Sequence, residues 1–148
     1  LIQISDYLQN MANKKDFGER NKNLSEKLYQ EKTYYDWSIT TAFYSSIHFV
    51  EDFIFPTEID GITCDNISDA KTAYKINGRH ATREKLVFDK INCNVGARYK
   101  WLDDNSRNAR YKTYKIRPEM AEKAMSYLKY IYDSCYPKTE ETPDLADL

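Results

Sequence analysis

Hydrophobic residues along this chain recur mostly at intervals of three and four, which is the period of an α-helix. The clearest such segment runs from Tyr34 to Asp52 and is apolar on nearly every side. A helix that is apolar all round lies in the centre of a bundle rather than on its surface. We therefore predict a central helix that begins near Thr33 as its N-cap. It should end at Phe55, because Pro56 disfavours helical geometry in the residue before it.

Shorter helical patterns precede the central helix. Residues 1–11 carry apolar side chains at helical spacing and predict a short amphipathic helix. A charged segment follows, and its Gly18 is predicted to interrupt the helical structure. Leu24 and Leu28 then mark a second helix, with Ser25 near its start.

After the central helix, residues 56–78 read as a long connection with no alternating strand pattern and at most a turn of helix at residues 69–74. Further helices are predicted at residues 80–91, at residues 97–113 after a turn, and from Pro118 to the region of Cys135. The fold class is therefore all-α, an antiparallel bundle of about four to five main helices. Residues 1–137 should form one domain, and the acidic residues 138–148 a disordered tail.

Composition narrows the possible functions. The chain has 148 residues and a formal net charge of -1, which argues against a broad electropositive nucleic-acid surface but permits a local patch. The three cysteines, Cys64, Cys93 and Cys135, include no CxxC pair, so we expect reduced thiols and neither a zinc site nor a cofactor. No apolar run reaches the ~18 residues of a membrane span. We therefore expect a cytoplasmic protein without a membrane partner, although a chain that starts at Leu1 could lack targeting information.

One stripe of the central helix mixes aromatic and polar residues and is predicted to face a seam with polar partners. His48 lies on this stripe, either as a hydrogen-bonded core histidine or as part of a catalytic or binding pocket. The opposite stripe is plain core. The mixed stripe consists of Trp37, Thr41, Tyr44, His48 and Asp52, and the core stripe of Ile39, Phe43, Ile47, Val50 and Ile54.

Two later segments carry candidate binding residues. Arg79, His80 and Arg83 begin a predicted helix and could hold a phosphate there, or form an exposed polar helix start. The second segment interleaves arginine with tyrosine, which can grip a phosphate backbone and stack a base. Its arginines could equally pair with acids inside the bundle. The residues of this second segment are Arg107, Arg110, Tyr111, Lys112 and Tyr114, and the candidate acids are Asp103, Asp104, Glu51 and Asp52.

Three sequence motifs follow one another along the chain and together resemble those of the HEPN superfamily (higher eukaryotes and prokaryotes nucleotide-binding). The first has the form DW-x-x-x-x-A-F/Y-Y-x-x-x-H, the second H-x-x-R and the third S-x-x-A-R-Y. The resemblance spans roughly residues 24–131. The matching residues are Asp36, Trp37, Ala42, Phe43, Tyr44 and His48, then His80 and Arg83, then Ser106, Ala109, Arg110 and Tyr111.

The resemblance implies a homodimeric helical bundle. Many HEPN proteins are metal-independent ribonucleases of toxin–antitoxin or other defence systems, with an Arg-x4-6-His motif near the dimer seam. Their R-N-x-x-x-H-x-Y form aligns with Arg107, Asn108 and Tyr114 but puts Lys112 where histidine should be. Lysine, with an ordinary pKa near 10.4, is poorly suited to proton transfer at neutral pH.

Three functions follow as hypotheses. The first is a HEPN-like module that binds RNA, a nucleotide or a cognate partner such as an antitoxin or a nucleotidyltransferase. The second is a ribonuclease with a non-standard catalytic set drawn from His48, Arg107 and Arg110, in which His80 could take the place of His48 if folding or dimerisation brings it to the arginines. The third is a structural dimerisation or adaptor domain whose arginines only pair with core acids.

Overall fold

The computed structural model describes residues 11–139 and, nearer the start, Ile4 alone. Most of the helix predicted over residues 1–11 and most of the tail predicted over residues 138–148 therefore lie outside the described residues. Within them, no helix is long and apolar enough to cross a bilayer.

The described chain is an all-α bundle with one small hairpin, which confirms the predicted fold class. Six helices and two short antiparallel strands follow one another along the sequence. The elements are α1 (Lys14–Glu31), α2 (Tyr35–Ile54), β1 (Thr57–Ile59), β2 (Ile62–Cys64), α3 (Ile67–Tyr74), α4 (Arg79–Lys90), α5 (Cys93–Tyr111) and α6 (Pro118–Cys135).

Helix α2 is the central helix that the hydrophobic pattern predicts. It packs against α1, α5 and α6, and the side chains of Ile39, Phe43 and Val50 on the predicted core stripe are fully buried. Ile47, on the same stripe, is only partly buried. The helix starts one to two residues later than predicted, because Thr33 bonds back to the Glu31 carbonyl and does not cap α2.

Helix α1 is continuous through Gly18, so the predicted break there is wrong. Gly18 is buried against Phe49, and a Cβ atom at this position would lie 2.5 Å from the Phe49 ring. The glycine therefore permits close approach of α1 and α2 rather than a turn. Ser45 of α2 reinforces that approach by donating a hydrogen bond to the Gly18 carbonyl at 2.7 Å. The helix begins at a capping box formed by Asn13 and Asp16.

The predicted strand-free connection over residues 56–78 is also wrong. β1 and β2 form a hairpin whose two turn residues, Asp60 and Gly61, both have positive φ, as such tight turns require. Helix α3 follows, capped by the Asn66 side chain, which accepts a hydrogen bond from the Asp69 amide. Strands of three residues are too short to show alternation, which explains why the sequence does not reveal them.

Helix α5 begins four residues earlier than the predicted start at residue 97. Asn92 caps it by accepting a hydrogen bond from the Val95 amide at 2.8 Å. Gly96, which indicated a turn, lies buried inside the helix against the Phe88 ring of α4. As at Gly18, a glycine marks a close contact between helices and not a chain reversal.

Candidate functional site

Arg110, in the last turn of α5, has two guanidinium nitrogens without a partner among residues 11–139. Its Nε and Nη1 atoms are buried, and neither makes a hydrogen bond within the described part of the chain. The guanidinium carbon lies 5.4 Å from the ring centre of Tyr44 and 5.4 Å from that of Tyr111. Buried polar groups are nearly always hydrogen-bonded, so these two donors are available to a ligand or to water.

Arg110 borders a pocket of about 330 Å³ between the start of α2 and the end of α5. We call it the arginine–aromatic pocket. Three of its aromatic residues expose much of their surface: Trp37 is 51% exposed, Tyr114 72% and Tyr111 81%. Neighbouring exposed aromatics of this size are typical of a binding surface. The pocket is lined by Asp36, Trp37, Thr40, Ala109, Arg110, Tyr111 and Tyr114.

Asp36 gives the arginine–aromatic pocket a free acceptor group. It lies in the first turn of α2, and among the described residues its carboxylate makes neither a hydrogen bond nor an ion pair. The backbone carbonyl of Asp36 accepts from the Thr40 hydroxyl, which leaves the side chain uninvolved. The pocket thus combines an unpaired carboxylate with the unpaired donors of Arg110.

A second cluster adjoins this pocket on α5. Arg107 donates from Nε and Nη2 to the two carboxylate oxygens of Asp103, at 3.0 and 3.2 Å. The ring of His80, from α4, lies close by: its Nδ1 is 3.9 Å from Asp103 Oδ1, beyond hydrogen-bonding distance. Arg107 also borders a pocket of about 510 Å³, which shares Tyr111 with the first pocket and is lined by Asp104, Arg107, Asn108, Tyr111 and Lys112.

His80 packs against an aromatic ring and beside the Asp103 carboxylate. Its ring stacks on Phe43, with 6.1 Å between the ring centres. Burial lowers the pKa of His80 below its ordinary value, and the Asp103 charge only partly offsets that effect. The His80 side chain remains half exposed, so its ring nitrogens are open to solvent beside Asp103.

His48, the histidine expected on the catalytic helix, lies in a different environment. Its ring stacks on Phe17 of α1 at 5.5 Å between ring centres. Burial lowers the pKa of His48, and the charges that act on it are those of Glu51, Lys14 and Arg83. The structure therefore brings His80, and not His48, to the arginines of α5.

The predicted phosphate site at the start of α4 is divided by the fold. Arg83 points into the protein and donates from Nε to Glu51 at 2.7 Å. Arg79 and His80 remain exposed at the start of the same helix.

The mixed stripe of α2 is also only partly at the surface. Trp37 and Tyr44 are exposed, while Thr41 is buried and its hydroxyl donates a hydrogen bond to the Trp37 carbonyl. Tyr44 lies beside the Arg110 guanidinium, and Asp52 accepts a hydrogen bond from the Tyr136 hydroxyl at 2.6 Å. The stripe therefore meets polar partners at separate places rather than along one seam.

Sequence analysis assigned neither Asp36 nor Trp37 to a site, although both belong to the central-helix motif. The available signal was their position about two turns before Tyr44 on α2. That signal could not show that the end of α5 would pack beside them. Lys112, which occupies the expected histidine position, is exposed next to Tyr111.

The described residues contain no group of three or more histidine, cysteine or acidic side chains arranged to hold a metal ion. Comparison of the chain with protein-family models, curated proteins and solved structures found no match. Membership of the HEPN superfamily thus stays a prediction, and the function has to be argued from the geometry of the site.

Proposed function

We propose that this protein binds single-stranded RNA through the arginine–aromatic pocket and the adjoining Arg107 pocket. The observation that carries the proposal is the Arg110 guanidinium, which lies beside exposed aromatic rings and has two buried donors that no described residue accepts from. Arginine donors match phosphate oxygens, and exposed rings stack unpaired bases. RNA binding also agrees with the predicted HEPN resemblance.

Single-stranded RNA fits this surface better than a duplex. Bases inside a duplex are stacked on one another, so exposed rings such as Trp37 and Tyr114 have nothing to stack upon. A formal net charge of -1 also offers no broad positive face for a duplex backbone. Local charge and stacking are sufficient for a short unpaired segment.

Fluorescence anisotropy with a labelled unpaired RNA of mixed sequence tests the proposal at low and moderate salt. Arg110→Ala should weaken binding about 10-fold or more, the loss of a charge-assisted contact to phosphate. Arg98→Ala is the matched control: Arg98 is on the same helix and stacks on Tyr130 at 3.8 Å, but donates to the Asn94 carbonyl. Failure of the unaltered protein to bind RNA at low salt would refute the proposal, as would equal losses in both variants.

A second candidate function is metal-independent RNA cleavage, favoured by the position of His80 beside Asp103 and Arg107. In such a reaction His80 takes the proton of a ribose 2′-OH, and the 2′ oxygen attacks the adjacent phosphorus. The 5′ oxygen leaves and takes a proton from the imidazolium or from water, giving a 2′,3′-cyclic phosphate and a 5′-OH end. Arg110 would stabilise the negative charge that develops on the phosphoryl oxygens.

Incubation of the purified protein with RNA in EDTA tests this second function. Cleavage should be lost in His80→Ala and retained in His48→Ala, whose ring lies against Phe17. RNA that stays intact with the unaltered protein contradicts the ribonuclease hypothesis but leaves RNA binding standing. A homodimeric state and a cognate antitoxin or nucleotidyltransferase partner remain predictions from the HEPN resemblance.

A further inference from the structure

We infer that the arginine–aromatic pocket is a base-specific subsite that selects guanine, an inference that rests on the proposed RNA binding. The pocket, at about 330 Å³, falls at the lower end of the range for small-molecule sites. It offers three kinds of group to a guest: a free carboxylate, a guanidinium with free donors, and exposed rings. A nucleotide presents a matching group to each.

The carboxylate of Asp36 decides which base fits. An ionised carboxylate only accepts hydrogen bonds, and it can accept two in parallel. The Watson–Crick edge of guanine presents two adjacent donors, N1–H and the N2 amino group. Adenine and cytosine each place a ring-nitrogen acceptor on that edge, which would face the carboxylate unfavourably. Uracil presents one donor between two carbonyl acceptors, so guanine is the base that satisfies Asp36.

Arg110 and Trp37 hold the rest of the nucleotide. The guanidinium of Arg110 borders the pocket and can donate a charge-assisted hydrogen bond to an oxygen of the attached phosphate. The exposed ring of Trp37 lines the same pocket as Asp36, so a base can stack on the ring while its edge meets the carboxylate. Selectivity therefore comes from Asp36, and general affinity from Arg110 and Trp37.

Oligouridines that carry one central guanine, inosine or adenine test the inference by fluorescence anisotropy. The unaltered protein should bind the guanine RNA about 10-fold more tightly than the adenine RNA, the discrimination expected of one paired base edge. Inosine lacks the N2 amino group and should fall between them. Free GMP should likewise displace a bound RNA at lower concentration than AMP.

Asp36→Asn isolates the role of the carboxylate. The amide offers one donor and one acceptor, which suit the N6 amino group and N1 of adenine, so the variant should bind adenine at least as well as guanine. Asp133→Asn is the matched control, because Asp133 is an exposed α6 residue paired with Lys129 and outside the pocket. It should keep the guanine preference.

The possible failures are distinguishable. If the unaltered protein binds all three RNAs equally and Arg110→Ala still weakens binding, the guanine inference is overturned and RNA binding stands. If the preference for guanine survives in Asp36→Asn, the role of Asp36 is overturned. If no RNA binds at low salt, the proposed function fails and the guanine inference fails with it.

Discussion

The Nε atom of Arg83 donates a hydrogen bond to Glu51 at 2.7 Å, and their side chains are only 9% and 12% exposed. Lys14 donates to the other oxygen of Glu51 at 3.0 Å. Burial alone would raise the pKa of Glu51, but the Arg83 charge and the hydrogen bonds from Arg83 and Lys14 outweigh it and lower the pKa. One carboxylate thus joins α1, α2 and α4.

Glu51→Ala should lower the free energy of unfolding by about 3–5 kcal/mol, because it leaves the buried charge of Arg83 without a partner. Urea unfolding followed by circular dichroism measures this loss. Glu26→Ala is the control: Glu26 pairs with Lys22 one turn away on α1, and loss of this partly exposed pair should cost no more than about 1 kcal/mol. Equal losses in the two variants would show that the Glu51 carboxylate has no special structural role.

Gly18→Ala should destabilise the contact between α1 and α2. The added methyl would lie 2.5 Å from the Phe49 ring, and such overpacking costs about 1–3 kcal/mol. The higher helix propensity of alanine offsets up to about 1 kcal/mol of that destabilisation. Thermal unfolding of Gly18→Ala should show a lower midpoint temperature. Adding Phe49→Leu to Gly18→Ala should restore part of that lost temperature. A midpoint unchanged by Gly18→Ala would contradict the close packing.

Stability should fall as the pH drops below about 6.5. Burial lowers the pKa of His48 and of His80 below the ordinary histidine value of 6.5, so in acid the unfolded chain binds more protons than the folded protein. The contribution of these two histidines to the free energy of unfolding is present above pH 6.5. It is lost as the pH falls towards their pKa values in the folded protein. Urea unfolding at pH 7.5 and 5.5 should show this loss, and His48→Gln should reduce it. Identical pH dependence in His48→Gln and the unaltered protein would contradict the role of His48.

Trp37→Ala should weaken RNA binding about 5-fold to 100-fold without a comparable loss of stability. One stacked base is worth about 1–3 kcal/mol, and the Trp37 side chain is half exposed. Phe53→Ala is the control, because Phe53 is a similarly exposed aromatic on α2 that does not line the arginine–aromatic pocket. Anisotropy titrations of both variants check the prediction, which fails if Phe53→Ala weakens binding as much as Trp37→Ala.

The structural elements that the sequence predicts well are those with long, strong periodicity. Helices α2, α4 and α6 lie close to their predicted bounds, and Pro118 stands at the start of α6 as expected. The wrong predictions involve glycines and short segments. Gly18 and Gly96 each accommodate a phenylalanine ring from a neighbouring helix, a role that local sequence does not distinguish from a turn.

The amino-acid sequence by itself determined that the described chain is helical, because hydrophobic spacing fixes which face of each helix is buried. It also identified the arginines and tyrosines at the end of α5 as candidate binding residues. Only the tertiary structure decided the partners of those charges: Arg83 meets Glu51, Arg107 meets Asp103, and Arg110 meets no acid among the described residues. The reason is physical, since pairing depends on distances between helices far apart in sequence. Those distances place Arg110 beside Trp37 and bring His80, rather than His48, to Arg107, a choice between two histidines that the sequence leaves open.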